Sequence, residues 1–531
     1  MLEGGADRAR NAANDAVTAV RPDGYQAPDP DRVRRVVDTL LDPALEPIVE
    51  LVVSTNDGAY DVHAVDGRVR FTRTPEGTGW RFTETEVEGR NPLGDTAPDR
   101  FSPLAIERDQ RWPSRAQQSY PHAHDQIAQL FDHPSAPDVA CLHTASHNWQ
   151  AQGGERGEHG SLSVVQVRAP FVLAGAGVKS AGLLPGSCRL VDVAPTVLAL
   201  LGAEPIDGLG PNGRPADGCL LSRQDGVVLE DLFDHREQPP DHVVGFLWDG
   251  CNANVLYDMV AGGEAPNLAR LLGSGVGLGH GAMASWPSVT LANHTTVITG
   301  THPGHHGILN NAWYDRAKGT QVITNSRETW PWAMQWLSPG IETIHQAVHR
   351  RWPDACTASV NEMCDVGADY STFELLRTRR DGDIPRPPRA DELPFATERF
   401  VRPEKSYQLF SRIDHTAMTQ AIDIWTAAAA GEAPLPRFCF VNFALTDTAF
   451  HHSGPYADIA RAGIADTDAR MGQVLAAVER SGAWDRTAFF LVADHGMEDS
   501  NPEVTGDWGV ALDASGVPYR DEAYGFIYVD T

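Results

Sequence analysis

Three long apolar runs, each followed closely by an aspartate, are the feature that most constrains the fold of this chain. The runs are HVVGFLWDG, RFCFVNFALTD and TAFFLVADHG, and their aspartates are Asp249, Asp447 and Asp494. Continuous apolar runs of this length are typical of strands that are buried on both faces, as in a parallel sheet. A helix-like stretch, residues 456–481, separates the last two runs. The order strand, helix, strand therefore predicts an α/β fold with a mostly parallel sheet and helices on both faces.

The rest of the chain divides by composition into further segments. Residues 1–35 are polar, and we expect them to form an arm or a short helix. A charged, proline-rich segment at 233–242 is interpreted as a linker that separates two larger parts. The first part, 45–232, has its own strand-like and helix-like runs, and the second, 243–531, contains the three apolar runs. Residues from about 318 to 410 are rich in Trp, Pro and Arg and lack this rhythm, so we expect an inserted cap there.

Charge and composition exclude several classes of partner. The net charge is −28 and no basic cluster is present, so we expect no binding of nucleic acid polymers. The opening residues lack an apolar core and no stretch approaches eighteen apolar residues, so we expect neither a signal peptide nor a membrane span. Seven scattered cysteines without a CxxC pair favour reduced thiols in a cytoplasmic protein. The sequence leaves a homo-oligomer open.

Histidines accompany two of the three aspartates. His451 follows Asp447 by four residues, and His495 is adjacent to Asp494. In open α/β sheets, ligands bind outside the carboxyl ends of the strands, so these side chains should meet at one edge. A single aspartate at such a position is more often a turn or cap residue. Carboxylate and imidazole together at three strand ends instead indicate a site for zinc or a similar divalent metal.

A fourth element, residues 286–311, is dense in small, hydroxyl and amide side chains. Thr290, followed by Leu-Ala-Asn-His, resembles a helix start that exposes a hydroxyl. Metal coordination lowers the pKa of such a hydroxyl and makes it a nucleophile. Asn293 would lie on the same helical face and donate its amide to a phosphoryl oxygen. The alternative is that Thr290 is only a helix cap beside a loop.

The motifs together resemble a known family. PSVTLANH, TGTHPGHHGILNN, the Tyr-Asp pair at 314–315, DTAFHHSGP, ADHGM and WDG are similar to motifs of the type I phosphodiesterases/nucleotide pyrophosphatases, in the alkaline phosphatase superfamily. The resemblance covers about residues 242–500. It implies an alkaline-phosphatase-like fold and a hydrolase of small phosphate esters, which forms a covalent intermediate on Thr290.

The resemblance also implies two divalent metal ions, zinc or alternatively manganese. The first would be held by Asp249, Thr290, Asp494 and His495. The second would be held by Asp447, His451 and one further histidine, which the family places after the D-H-G-M motif. No histidine follows His495 in this chain.

The missing histidine is predicted to lie upstream. GGERGEHG, followed by an apolar run and a helix-like run, resembles the usual C-terminal end of the superfamily fold, so His159 would complete the second metal set. The chain is then interpreted as a circular permutation. Two alternatives stay open: residues 45–232 form a separate degenerate domain, or a partner chain supplies His159.

Substrate preference is the last expectation. No Lys or Arg occurs from Leu271 through Asp315, which favours a diester over a more highly charged monoester. Related enzymes often stack a nucleobase on an aromatic residue after the nucleophile. Here that residue is Leu291, with Trp313 and Tyr314 nearby as further substrate-binding candidates. The alternatives are a phosphomonoesterase or phosphonate hydrolase on the same site, or an inactive protein that binds phosphate ligands.

Overall fold

A mixed sheet of eight strands forms the centre of the fold. The computed structural model describes residues 28–56, 58–149, 154–326, 328–378 and 407–529. In order across the sheet, the strands are Tyr370–Ser371, Cys356–Val360, Pro436–Phe443, His242–Trp248, Thr487–Val492, Phe171–Gly175, Gly275–Leu278 and Gly182–Leu184.

The three apolar runs of the sequence are neighbours in this sheet and run parallel. Phe246, in the middle strand, is in register with Val441 on one side and Leu491 on the other. Every residue of His242–Trp248 is buried, so both faces of the sheet are covered. These observations confirm the predicted α/β class with a mostly parallel sheet.

The first large segment of the chain enters the same sheet. Phe171–Gly175 pairs antiparallel with Thr487–Val492 on one side and with Gly275–Leu278 on the other. Both neighbours belong to the second segment. The core that surrounds the sheet is likewise built from both segments, and it includes the helix Val193–Leu200. The strand Phe171–Gly175 and the helix Val193–Leu200 of the first segment are therefore part of the central fold.

The longer helices that accompany these strands follow the expected alternation. The predicted helix at 456–481 spans Asp458–Arg480 and packs against Tyr407–Ala429. The other described α-helices of six or more residues are Pro30–Leu40, Leu104–Asp109, Ala123–Leu130, Val193–Leu200, Ala253–Ala261, Pro266–Gly273, Thr290–Thr299, Ile344–Arg351, Thr372–Thr378, Leu445–Ser453 and Trp508–Ser515, and Trp330–Trp336 forms a 3-10 helix. In the part of the chain that the structure describes, no helix is both long and apolar enough to cross a membrane.

A second sheet, antiparallel throughout and with seven strands, was not expected from the sequence. It joins the two segments of the chain, because the strand Phe526–Val529 of the second segment pairs with Val139–His143 of the first. Its strands in order are Tyr519–Glu522, Phe526–Val529, Val139–His143, Val49–Asn56, Ala59–Ala64, Gly67–Glu76 and Gly79–Gly89. Shorter paired strands are Cys188–Arg189, Ala282–Met283 and Arg168–Ala169; Ile206–Leu209 and Pro215–Cys219; Ala312–Asp315 and Thr320–Ile323; and Glu498–Asp499 and Gly157–Glu158.

The predicted cap needs correction. Two pieces of it, Cys356–Val360 and Tyr370–Ser371, are strands of the central sheet and therefore belong to the core. Short apolar strands in a Trp- and Arg-rich context gave no clear periodic signal, which explains the error. Residues 379–406 of the predicted cap lie outside the described residues.

The structure describes the end of the predicted arm and all of the predicted linker. The helix Pro30–Leu40 occupies the end of the predicted arm, and residues 1–27 lie outside the described residues. The linker predicted at 233–242 is a turn-rich connection that leads into the strand beginning at His242.

Buried histidines of the second segment pair with aspartates of the first. His305 contacts Asp225 through Nδ1 at 2.5 Å and Asp132 through Nε2 at 3.0 Å, and His302 lies 3.4 Å from Asp125. Burial alone would lower the pKa of His305, but the charge of Asp225 raises it above its ordinary value. Burial opposes the ionisation of Asp125, but the hydrogen bond from His302 lowers its pKa to about 2. This ion-pair cluster links the two segments.

Asp225→Asn should lower the melting temperature, because removing one partner of a buried ion pair costs about 3–5 kcal/mol. The stabilisation from His305 is complete below its unfolded pKa of about 6.5 and is lost as the pH rises through its raised folded pKa. The gap between wild type and variant should therefore be widest near pH 6 and narrow as the pH rises through the raised pKa of His305. Thermal unfolding across this range measures the gap. The exposed Asp485→Asn is the control, and a gap independent of pH would contradict the ion-pair account.

Candidate active site

A cavity of about 210 Å³ opens at the carboxyl ends of the parallel strands. Thr290 and Asp249 line it, together with Asp447, His451 and His159. Asp249 directly follows the strand His242–Trp248, whereas Asp447 lies in the first turn of the helix Leu445–Ser453. The structure thus brings residues from both segments of the chain to one edge of the sheet.

One group of potential ligands comprises Asp447, His451 and His159, all buried. Nε2 of His451 lies 3.1 Å and Nε2 of His159 lies 3.8 Å from Oδ1 of Asp447. The far nitrogen of each imidazole is held in place: Nδ1 of His159 lies 2.8 Å from the carbonyl oxygen of Ser288, and Nδ1 of His451 lies 2.7 Å from a Glu155 carboxylate oxygen. Such contacts fix the ring so that Nε2 faces the cavity, as in metal sites with an oriented histidine.

A second group is formed by Asp249, Asp494 and His495. Nε2 of His495 lies 3.1 Å from Oδ2 of Asp494 and 3.9 Å from Oδ1 of Asp249. The other oxygen of Asp494 accepts a hydrogen bond from the amide of Gly250 at 2.9 Å. Burial opposes the ionisation of Asp494, but the charge of His495 keeps its pKa well below the usual range. Asp494 therefore presents a carboxylate.

His294 joins this second group and was missed in the sequence. Its Nε2 lies 3.5 Å from Asp494 and 3.8 Å from Asp249, and its Nδ1 lies 2.7 Å from Glu362. Glu362 is itself fully buried and accepts the amide of Cys364 at 2.9 Å. His294 lies one helical turn after Thr290, and this spacing could have identified it as a residue of the site. Glu362 closely follows the strand Cys356–Val360, which we had assigned to the cap.

The donor set fits divalent cations. Asp249, Asp447 and Asp494 are buried carboxylates of like charge. The ligand atoms lie within 4.8 Å of one another in His159 with Asp447 and His451, in Asp249 with His294 and Asp494, and in Asp249 with Asp447 and His495. Among the described residues that line the cavity, there is no Lys or Arg to balance them. Mutual repulsion in a buried site makes such a cluster costly unless cations are bound. Carboxylate oxygen and imidazole nitrogen are ligands that zinc accepts.

Thr290 is the first residue of the helix Thr290–Thr299, and its side chain is half-buried at the cavity. The N-terminus of a helix carries positive partial charge and favours bound anions. The preceding residue, Val289, is extended, so the chain turns sharply into the helix at this point. Thr290 thus lines the same cavity as the acidic residues, at a helix end that favours anions.

Asn293 does not reach the cavity, contrary to the sequence expectation. Its Oδ1 accepts the amide of Ser285 at 2.7 Å, and its Nδ2 donates to the carbonyls of Ser285 and Pro287 at 3.1 and 3.0 Å. The amide is thus used up in holding the loop before Thr290. Asn311 lines the cavity instead, and its buried Oδ1 has no hydrogen-bond partner among the described residues. Asn311 is the last residue of the motif TGTHPGHHGILNN, and its place in that motif could have identified it.

The three other predicted substrate contacts also lie away from the cavity lining. Leu291 is fully buried in an apolar cluster, and Trp313 is nearly so in the same cluster. Tyr314 packs edge-on against Tyr528, and Arg520 lies over its ring. All three side chains thus belong to one apolar cluster, Leu291 and Trp313 as buried members and Tyr314 as a partly buried one.

Comparisons with known proteins agree with this site. Residues 243–525 match the family model for type I phosphodiesterase / nucleotide pyrophosphatase. An uncharacterized pyrophosphatase/phosphodiesterase of Schizosaccharomyces pombe is 34% identical over 119 residues, 21% of this chain and 23% of that protein. Alkaline phosphatase PafA of Elizabethkingia meningoseptica is 34% identical over 90 residues, 17% and 16% of the two chains.

Two further relatives are more distant. Mouse ectonucleotide pyrophosphatase/phosphodiesterase family member 3 is 23% identical over 269 residues, 50% of this chain and 25% of that protein. The chain thus spans a quarter or less of the length of each of these curated relatives. The solved structure of murine ectonucleotide pyrophosphatase / phosphodiesterase 5 is 18% identical, with a TM-score of 0.31, over 48% of this chain and 57% of that one.

The family model covers more than half of the chain and includes Asp249, Thr290, Asp447, His451, Asp494 and His495. The match confirms the resemblance drawn from the motifs. The chain belongs to the type I phosphodiesterase / nucleotide pyrophosphatase family.

Proposed function

We propose that this protein is a metal-dependent hydrolase of phosphodiesters, with Thr290 as its nucleophile. The observation that carries the proposal is the position of the Thr290 hydroxyl at a helix N-terminus, in the same cavity as two groups of buried carboxylate and imidazole side chains. Membership of the family supports the same reaction class.

The reaction begins with in-line attack of Thr290 Oγ on phosphorus. The Oγ–P bond forms, the P–O bond to the leaving alcohol breaks, and the threonine proton is lost to solvent. In this proposal Asn311 donates its side-chain amide to a phosphoryl oxygen. From the sequence this role was expected for Asn293. Water then attacks the phosphothreonine diester from the vacated side and gives up a proton to solvent. The new P–O bond forms, the P–Oγ bond breaks, Thr290 Oγ regains a proton, and the phosphomonoester leaves.

Divalent cations at the two groups would lower the pKa of the attacking hydroxyl and neutralise charge on the phosphoryl oxygens. Asp249, Asp494 and His495 would hold one with Thr290, and Asp447, His451 and His159 would hold the other. Zinc suits these donors, with manganese as the alternative.

The proposal assigns His159 to this chain's own site through a circular permutation. The strand Phe171–Gly175 follows His159 in sequence and adds to the central sheet beside Thr487–Val492. In this interpretation, the linker at 233–242 joins what were the two ends of an unpermuted chain. Permutation of this kind is tolerated because chain ends often lie close together at domain surfaces.

Two rival functions use the same cavity. A phosphomonoesterase or phosphonate hydrolase would need to offset an extra negative charge, usually with Arg or Lys. The described lining of the cavity contains neither residue, which favours a diester. An inactive phosphate-binding protein is the second rival, and the presence of a hydroxyl nucleophile among the potential ligands weighs against it.

Thr290→Ala should lower kcat on bis(p-nitrophenyl) phosphate by at least about a thousandfold, about 4 kcal/mol in the barrier. Thr290→Ser keeps a hydroxyl at the same position and should retain part of the activity. Turnover of the alanine variant within about tenfold of wild type would rule Thr290 out as the nucleophile.

His159→Ala should lower the bound metal, measured by elemental analysis, by one equivalent per chain, because Asp447 and His451 alone give a cation two protein ligands. Catalytic zinc usually has about three. His452→Ala removes an exposed histidine next to His451 and should leave the metal content unchanged. Equal metal content in both variants would contradict the assignment of His159.

Matched p-nitrophenyl esters test the substrate class. The kcat/KM should be higher for a diester than for p-nitrophenyl phosphate, since no described cation in the cavity lining offsets the second charge of the monoester. A marked preference for the monoester would favour the phosphomonoesterase alternative.

A further inference from the structure

The cavity continues beyond the acidic cluster into an apolar region. We call this region the apolar subsite; its lining residues are Trp330, Met363, Phe373, Leu376, Phe410 and Ile413. Phe373 and Leu376 come from the helix Thr372–Thr378, and Phe410 and Ile413 come from the helix Tyr407–Ala429. The two helices thus place rings and branched chains beside the residues that would hold the phosphoryl group.

The polar groups at this end of the cavity are hydrogen-bonded to protein atoms. Asn361 and Asn442 donate their side-chain amides to each other's backbone carbonyls at 3.2 and 3.0 Å. Oδ1 of Asn325 accepts the indole N–H of Trp330 at 3.0 Å. Thr372 donates its hydroxyl to Gln420 at 2.8 Å. A nucleobase is selected through hydrogen bonds to its edge, and these side-chain donors are already used. Oδ1 of Asn442 is a buried acceptor without a hydrogen-bond partner among the described residues.

Charge at this end also disfavours a polyanion. Arg377 lies on the same helix as Leu376, but its guanidinium contacts Asp365 at 2.5 Å and Glu374 at 2.9 Å. Arg377 is not part of the lining, and no Lys or Arg is found among the described residues that line the cavity. A substrate with a second phosphate would therefore bring uncompensated negative charge.

The size of the cavity limits the group that it can enclose. A cavity of about 150 Å³ lined by apolar side chains binds benzene. The observed volume of about 210 Å³ includes the space beside Thr290, so it holds a phosphoryl group and one ring-sized substituent. A base together with a ribose would extend outside it.

From these observations we infer that the apolar subsite selects phosphodiesters in which one ester group is uncharged, apolar and about the size of a phenyl ring. This inference rests on the proposed function and narrows its substrate class away from nucleotides. Burying an apolar group of this size contributes about 1.5–3 kcal/mol, equivalent to roughly tenfold to a hundredfold in affinity.

Titration calorimetry of the zinc-loaded protein with methylphosphonate, phenylphosphonate and thymidine 5′-monophosphate tests the inference without relying on turnover. Phenylphosphonate should bind about ten to a hundred times more tightly than methylphosphonate, and more tightly than the nucleotide. Equal affinity for the two phosphonates, or tightest binding of the nucleotide, would overturn the inference. Failure of all three ligands to bind would instead count against the phosphoryl site and the proposed function.

Two neighbouring leucines give a matched pair of variants. Leu376 lines the subsite and is 50% exposed, whereas Leu375 is 39% exposed and lies outside the lining, so neither substitution empties the core. Leu376→Ala should reduce the ratio of phenyl to methyl affinity by about threefold or more, since it removes several apolar groups from contact. Leu375→Ala should leave the ratio unchanged. The same ratio in both variants would show that the subsite does not make the selection.

Discussion

Three buried carboxylates meet at one edge of the central sheet, and the surrounding structure depends on how their charge is balanced. Asp494 is fully buried, and Asp249 and Asp447 are each 6% exposed. Carboxylates so close together in a dry site would repel one another and lose their hydration, a cost of several kcal/mol per ion. Neighbouring imidazoles offset part of it. Divalent cations would offset the rest, so metal binding and the folding of this edge are linked.

The loop before Thr290 is held from the opposite side by a chain of buried hydrogen bonds. Asn293 binds the backbone of Ser285, whose hydroxyl lies 2.8 Å from Nδ1 of His302. The other ring nitrogen of His302 faces Asp125, a residue of the first segment. The loop before Thr290 is thus held on one side by a network that reaches Asp125. On the other side Ser288 of this loop holds His159, and His294 of the following helix contacts Asp494. Supports on both sides give the rigidity that a reactive side chain needs.

The sequence predicted the acidic cluster well because the rule behind it is geometric. Parallel strands share one carboxyl edge, so Asp249 and Asp494 had to meet once the apolar runs were recognised as strands. Side-chain amides follow no such rule. Asn293 lies on the predicted helix, yet backbone groups of the preceding loop take up its amide, and that competition depends on tertiary structure. Glu362 was missed because the short strand that precedes it, Cys356–Val360, has too weak a sequence pattern to be recognised as part of the central sheet.

The site depends on which strands are neighbours and only weakly on the order in which the chain supplies them. His159 and Asp447 lie far apart in sequence, but Nε2 of His159 is 3.8 Å from Oδ1 of Asp447 at the cavity. The entropy of closing a flexible loop grows only logarithmically, by about 0.6 kcal/mol for each doubling of its length. Supplying His159 from before Thr290 rather than after it therefore changes the cost of assembly little. The strand pairings that flank His159, Gly157–Glu158 with Glu498–Asp499 and Phe171–Gly175 with Thr487–Val492, hold it at this edge whatever the order of the segments along the chain.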